Sequence, residues 1–250
     1  MLELINRFSK WRKKKRSINH IKKWSIQDEK RLIFYKNLIP ENALIFDIGA
    51  NLGNRTKVFS KFCSRVIAVE PQPYCFDILS EAFSQDSNVT PVNYAIGKEE
   101  SKGEIHISKE HTISSMSKDW LRKVSASKRF LDEWHETIIV NTKTLDYLIS
   151  TYGVPDFIKI DVEGYELNIL KGLNMSIDLL SFEYTLPEMV DDTIHIIKRL
   201  ESMSNHLYQL VKGEDHKFYF NEWISREELE SFLLDIKSLD FGDIYAKRII

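Results

Sequence analysis

The chain has 250 residues, 43% hydrophobic and 29% charged, a size and balance that suit one α/β domain with extensions. Nine Gly and six Pro exclude collagen-like and low-complexity sequence, and no apolar run approaches the roughly 18 residues of a membrane-spanning helix. Cys63 and Cys75 are the two cysteines and stand at no metal-like spacing, so neither a cysteine zinc site nor a disulfide scaffold is expected, and a reducing cytoplasm is the expected compartment.

The net charge of −2 hides an asymmetry. Residues 1–36 carry twelve Lys/Arg against three Asp/Glu, a net of +9, and the remainder carries −11. The basic residues follow the leading apolar ones, an order opposite to that of a signal peptide. Leu2, Leu4, Ile5, Phe8 and Trp11 supply the apolar side of a short interfacial helix. The arm is then a solvated helical extension or a patch drawn to an anionic partner, such as an anionic membrane surface. Residues 1–40 are read as this extension and 41–250 as the catalytic domain.

From residue 43 onward, buried-strand patterns alternate with helical ones, the signature of βαβ units and a mostly parallel, doubly wound sheet. Ala43–Asp47 is the first strand, Gly49–Gly53 a glycine loop, and a helix follows from Asn54 to about Cys63. Arg65–Glu70 is the second strand, with a helix over Tyr74–Phe83 and a third strand near Val89–Ala95. Glu104–Ser108 reads as an added strand, and the polar segment 109–136 as a lid or substrate-binding insertion. A short helix over Thr144–Thr151 precedes the fourth core strand, Asp156–Val162, and a helix over Tyr165–Lys171. Leu179–Tyr184 is the fifth strand and Glu188–Ser202 a helix. Leu207–Lys212 and Lys217–Asn221 read as an antiparallel pair, and Ser225 with Glu228 as the capping box of the last helix.

A strand that runs through a glycine turn into a helix builds a ligand site above its carboxyl end. Gly49 and Gly53 allow a tight turn and close approach of a ligand, and the helix N-terminus offers N–H groups to an anion. Glu70, at the end of the second strand, is placed to hold a ribose diol. The G-x-G-x-x-G pattern of a dinucleotide site is absent. Asp47, just before the loop, would repel a pyrophosphate and suits an ammonium group. Ribose, carboxylate and ammonium together describe S-adenosyl-L-methionine.

The segments IFDIGANLG, VIAVEPQP, NYAIG and FIKIDVEGYE, with a further echo in the closing DIYA, resemble the FkbM family of S-adenosylmethionine-dependent methyltransferases. The resemblance covers about residues 43–186. It implies a class I methyltransferase fold, Rossmann-like, with a seven-stranded sheet and helices on both faces, and methyl transfer typically to a hydroxyl oxygen. By that resemblance Asp47, Gly49, Asn51 and Gly53 line the methionine end, Glu70 holds the ribose, and Asn93, Ala95 and Ile96 lie beside the adenine.

A sugar or alkyl hydroxyl is a poor nucleophile and needs a base. Alternation along an ideal strand puts Lys159, Asp161 and Glu163 on one side. Asp161 is the candidate general base, with Lys159 and Glu163 holding substrate or tuning it. The competing reading is a structural ion pair from Lys159 to Asp161 or to Glu163. Glu183, at the end of the fifth strand, and His111, Ser114 and Ser115, after the third, are candidate substrate contacts, with His111 also another possible base; the serine pair resembles one in the family. A divalent cation on Asp161, Glu163 and Glu183 is an alternative, but no metal ligand is assigned. Lys118, Arg122, Lys123, Lys128 and Arg129 form either a solvated face or contacts to an anionic acceptor. Trp120 and Trp134 are read as core anchors rather than sugar platforms.

The resulting expectation is an O-methyltransferase acting on a hydroxyl of a glycan or natural-product intermediate. The alternatives are a nucleic-acid methyltransferase and a non-catalytic S-adenosylmethionine-binding protein. Nucleic acid is not an expected partner, since the arm lacks interleaved aromatics and the body is acidic.

Overall fold

The computed structural model describes residues 2–130 and 134–249, with side chains from Trp11 onward. The apolar residues Leu2, Leu4, Ile5 and Phe8 of the expected interfacial face thus have side chains outside the described residues. Two helices open the chain, α1 (Leu2–Lys22) and α2 (Ile26–Lys36). The second starts at a capping box in which Ser25 and Asp28 satisfy each other's backbone N–H groups.

The principal sheet has seven strands: β1 (Leu44–Ile48), β2 (Arg65–Val69), β3 (Val89–Val92), β7 (Phe157–Ile160), β8 (Leu179–Leu186), β9 (His206–Lys212) and β10 (Asp240–Arg248). Their spatial order is β3-β2-β1-β7-β8-β10-β9. Neighbours are parallel except around β10, which is antiparallel to both β8 and β9. A second, three-stranded sheet is ordered β4 (Ala95–Ile96), β6 (Trp134–Lys143), β5 (Ser101–Ser108). The connecting helices are α3 (Asn54–Phe59), α4 (Pro73–Ala82), α5 (Lys118–Ala126), α6 (Leu145–Tyr152), α7 (Glu166–Lys171), α8 (Val190–Glu201) and α9 (Arg226–Asp235).

Strand alternation divides the core in two. Ile45, Val66, Ala68 and Phe157 face α1–α4, meeting Ile18, Ile21, Tyr35, Phe59, Ile78 and Leu79. Phe46, Ile48, Ile67, Ile158 and Ile160 point the other way, onto α6–α9 through Leu148, Ile169, Ile197, Leu200 and Leu229. Each such apolar side chain contributes roughly 1.5–3 kcal/mol on burial. The chain winds outward from β1 in one direction and from β7 in the other, so the crevice between their carboxyl ends is the topological switch point. In register there, Asp47 lies beside Lys159 and Ile48 beside Ile160.

Three expectations change. The strand expected near Val89–Ala95 is split: β3 stays in the main sheet and β4 crosses to the small one. β6 was not expected, because its first residues sit in the polar 109–136 segment and Ile139 on its outer face is exposed. Lys217–Asn221 is not a strand. The partner of β9 is β10, which carries the DIYA motif between β8 and β9. The 217–224 segment meets the other edge of β9 without forming a ladder: Tyr219 N donates to Leu210 O at 2.7 Å, Tyr208 and Ile224 form an isolated bridge, and the Gln209 amide donates to the carbonyls of Phe220 and Glu222. The Ser225–Glu228 capping box of α9 is present, and both cysteines are free and buried.

Candidate active site

β1 ends at Ile48 and the chain turns at Gly49, whose φ is +82°. A Cβ there would sit 1.8 Å from the carbonyl oxygen of Asp161, so glycine is required where the loop crosses the end of β7. Gly53, φ +98°, serves packing instead: its Cβ would strike Phe83 Cε2 at 2.5 Å. It starts α3 and lines neither cavity described below. Asn51, also at positive φ, hands its backbone N–H to Glu70 Oε2 at 2.8 Å. Gln72 N donates to Glu70 Oε1 at 2.7 Å. Each carboxylate oxygen retains a lone pair. Burial pushes the Glu70 carboxyl up to about 7 despite these two donors. Asp47 is buried and accepts from Thr56 Oγ1 at 2.5 Å; burial raises its pKa also.

Asn93 is exposed, and its amide donates to the carbonyls of Glu70 and Pro71. It ties the strand ends together and lines neither cavity described below, whereas Ala95 and Ile96 line the smaller. His111 enters through its backbone: its carbonyl accepts from Asn51 Nδ2 at 3.3 Å and Gln72 Nε2 at 3.1 Å, latching the 109–116 stretch over the glycine loop. Ser114 lines the same cavity and accepts from Ser108 N. Ser115 does not line it. Its hydroxyl donates to Glu163 O at 2.6 Å and accepts from Ser117 N.

At the end of β7, Lys159 is 1% exposed while the Asp161 side chain is 36% exposed, and Lys159 Nζ donates to Asp161 Oδ2 at 2.6 Å. Asp243 Oδ1 lies 3.7 Å from the same ammonium. Burial would lower the Lys159 pKa, but Asp161 and then Asp243 hold it above its ordinary value. The strand ends before Glu163, whose φ is +57°. The loop nevertheless gathers Asp161, Glu163 and Glu183, each offering one oxygen within 4.8 Å of the others. This is the group of described residues that could hold a divalent cation. Burial and then the Asp161 charge raise Glu163 well above the carboxylate range. Glu183 is raised by burial and then by Glu163, and its Oε2 has no hydrogen-bond partner among the described residues.

Of the five basic residues singled out in the 109–136 segment, Lys118, Arg122 and Lys123 pair with Glu104 or Asp119 at the surface. Lys128, at positive φ, lines neither cavity. Arg129 reaches inward and is locked by Glu188 at 2.9 Å and by the carbonyl of Leu186. Trp120 is fully buried and Trp134 donates to Ile113 O, as core anchors do.

Two cavities meet at the switch point. The smaller, about 50 Å³, lies between the glycine loop, Glu70, Ala95, Ile96 and the His111 stretch. The larger, about 500 Å³, runs from Asp47 and Asp161 past Glu183 to Trp120, Phe130 and Phe241, with Arg31, Arg55 and Glu214 on its wall. Gly49, Asn51, Thr112, Asp161 and Glu163 line both. Sequence reasoning missed Gln72, Glu166, Arg31, Arg55 and Glu214. A signal existed for two of them: Gln72 lies in the PQP that closes β2, and Glu166 in the DVEGYE motif. Glu166 accepts from Val162 N and Gly164 N and so shapes the loop.

The chain is similar to the hexuronic acid methyltransferase AglP of Haloferax volcanii, 27% identical over 180 residues that cover 70% of this chain and 69% of that one. It is also similar to the methyltransferase sdnD of Sordaria araneosa, 28% identical over 54% of this chain and 62% of that one. Among solved structures, a putative O-methyltransferase from Klebsiella pneumoniae aligns with TM-score 0.47 and 10% identity, over 94% of this chain and 87% of that one. Residues 47–235 match the Methyltransferase FkbM domain. With the seven-stranded class I sheet described above, this match makes the chain a member of the FkbM family of S-adenosylmethionine-dependent methyltransferases.

Proposed function

We propose that this methyltransferase acts on a hydroxyl oxygen of a sugar or sugar-like acceptor. One observation carries the reading: the two cavities touch only around Gly49, Asn51, Thr112, Asp161 and Glu163, so a donor in one and an acceptor in the other would meet beside the Asp161 carboxylate. The smaller cavity's residues fit S-adenosylmethionine. Glu70 has a free lone pair on each oxygen for the two ribose hydroxyls, Gly49 and Asn51 of the glycine turn, which line both cavities, suit the carboxylate, and Ala95 and Ile96 offer an apolar wall to the adenine; Asp47, on the adjoining end of the larger cavity, suits the ammonium group. When bound, the donor supplies a sulfonium methyl that is already electrophilic.

The chain's own work is then alignment, proton removal and exclusion of water. Asp161 takes the acceptor's proton, and Lys159 orients Asp161 from its buried side. Residues 41–250 form the catalytic domain and 109–136 the lid. At about 50 Å³ the smaller cavity is below the roughly 300–1,000 Å³ of ligand sites, so the Asn51 and Gln72 latch on His111 opens to admit the donor. The name of the Haloferax volcanii relative, a hexuronic acid methyltransferase, supports the sugar class.

The test is a methyl-labelled donor incubated with the protein and fractionated cell extract. Label in saccharide supports the reading. Label in RNA, or in no fraction, defeats it. The basic arm adds peripheral attraction to an anionic membrane surface, although Lys14 and Lys15 already pair with Glu81 of α4. Full-length protein should sediment with anionic vesicles at low salt and a form lacking residues 1–16 should not; equal sedimentation rejects this part.

A further inference from the structure

The wall of the larger cavity carries an arginine pair whose ligand is part of the chain itself. Arg31 Nη2 lies 3.2 Å and Arg55 Nη2 2.6 Å from the same oxygen of Glu214, Oε2. Both guanidinium side chains are largely buried, at 15% and 13% exposure. Each also keeps an Nε–H that is buried without a partner among the described residues. Glu214, by contrast, is 58% exposed and sits on the turn after β9, where Gly213 has φ +50°.

The arginines are held in place from behind. Asp28 of α2 accepts from Lys57 of α3 at 2.7 Å and lies 3.4 Å from Arg31 Nη1, which fixes the helix bearing Arg31 against the helix bearing Arg55. The Glu214 carboxylate has no comparable hold. Beyond the two arginines its ion-pairing-distance neighbour among the described residues is His216, at 3.6 Å, whose pKa burial and the Arg55 charge push down to about 4, so the ring is neutral and adds no salt bridge. Arg129 shows the contrast on the same wall. Its partner Glu188 is only 5% exposed, so that pair is closed to solvent and ligand.

We propose that Arg31 and Arg55 bind an anionic oxygen group of the acceptor, a carboxylate or phosphate, and that Glu214 occupies the fork until the acceptor displaces it. This rests on the sugar-acceptor reading above and narrows it to acidic or phosphorylated sugars. Asp161 lies on the same continuous cavity as Arg31, Arg55 and Glu214. Arginine forks suit both anions because their two N–H vectors match two oxygens.

Calorimetric titration with glucuronate, glucose 1-phosphate and neutral glucose tests the proposal. Glu214→Gln removes the competing charge at an exposed position. It should bind at least one anionic sugar about tenfold more tightly than the wild type does, with no change for glucose. Arg55→Met and, separately, Arg31→Met should abolish the preference for the anion; Arg31→Met keeps the test open if Arg55→Met does not fold. Preference for glucuronate points to an acidic sugar, and preference for glucose 1-phosphate to a phosphorylated one. Anionic sugars that bind no better than glucose to Glu214→Gln, or that do not bind at all, overturn the proposal. Labelled-methyl transfer to a neutral sugar would then leave the function standing while this site falls; loss of transfer to every saccharide would sink the function itself.

Discussion

Glu70 and Asn51, nineteen residues apart, make the bond that shapes the glycine-loop cavity, whereas Arg31 and Glu214, which meet on the larger cavity, stand 183 residues apart. The first cavity is written in contiguous motifs because most of its lining comes from strand ends and the turns that follow them. The second is assembled from a leading helix, the first turn of α3, the loop after β7, β8 and the turn after β9. A methyltransferase must keep its donor site constant and can vary its acceptor site, and dispersed positions on separate elements allow that variation without disturbing the sheet.

The largest expected effect lies where the two cavities touch. Asp161→Asn keeps the shape and removes the basicity, and loss of a positioned general base costs about 10²–10⁴-fold in turnover. Donor affinity measured by calorimetry should stay unchanged. A parallel fall in affinity would assign Asp161 to the donor side and break the division between the cavities. If both quantities stayed near wild type, the search for a base would move to Glu163, Glu183 and His111.

Next comes the glycine-loop cavity by itself. Glu70→Ala should weaken S-adenosylmethionine binding at least ~10-fold, since charged hydrogen bonds contribute roughly 1.5–3 kcal/mol each. Far-ultraviolet circular dichroism should show the fold intact. Unchanged affinity would remove Glu70 from the donor site.

The same residue carries a pH signature. Its carboxyl sits at about 7 in the folded chain against an ordinary 4.5, so between those values the folded state binds more protons than the unfolded one. Its contribution to stability is therefore full below about pH 4.5 and lost as the pH rises through about 7. Glu166, also raised by burial to about 7, adds the same sign. The unfolding temperature of wild type should decline across this window, and Glu70→Gln should decline less. Parallel curves would show that Glu70 is solvated in the folded protein.

The smallest expected effect concerns the carboxylate trio on the larger cavity. If Asp161 is the base, as proposed, turnover should stay within about twofold after treatment with a chelator, because a carboxylate base needs no cation's help. A loss restored by Mg²⁺ or Mn²⁺, and abolished in Glu183→Gln, would turn Asp161, Glu163 and Glu183 into a cation site and sharpen the acceptor side in another direction.

The chain order of strands, the glycine turn, Glu70 and the acid at the end of β7 were legible because each depends on local rules. Strand alternation, a helix start and the demands of a tight turn act over a few residues, and the four motif segments place them in a known order. The roles within those segments were less legible. Gly53 and Gly49 look alike in the loop, yet one meets the Phe83 ring and the other the carbonyl of Asp161. Ser114 and Ser115 are adjacent, yet only the first lines a cavity. Asn93 sits at a strand end like Glu70 and spends its amide on backbone carbonyls.

Only the tertiary structure decided that β10 inserts between β8 and β9, which displaced the pairing expected for Lys217–Asn221. It also decided that Lys159 pairs with Asp161 rather than Glu163, that Asp161 and Glu163 meet Glu183 from another strand, and that Arg31, Arg55 and Glu214 converge. Those outcomes depend on long-range pairing and on the partial burial of charged groups where separate elements converge. There an unpartnered charge is costly and selects its partner from whatever element packs nearby. The sequence by itself determined the core strands β1, β2, β7 and β8, the glycine loop and the acids at the strand ends, because hydrophobic periodicity and turn chemistry are local.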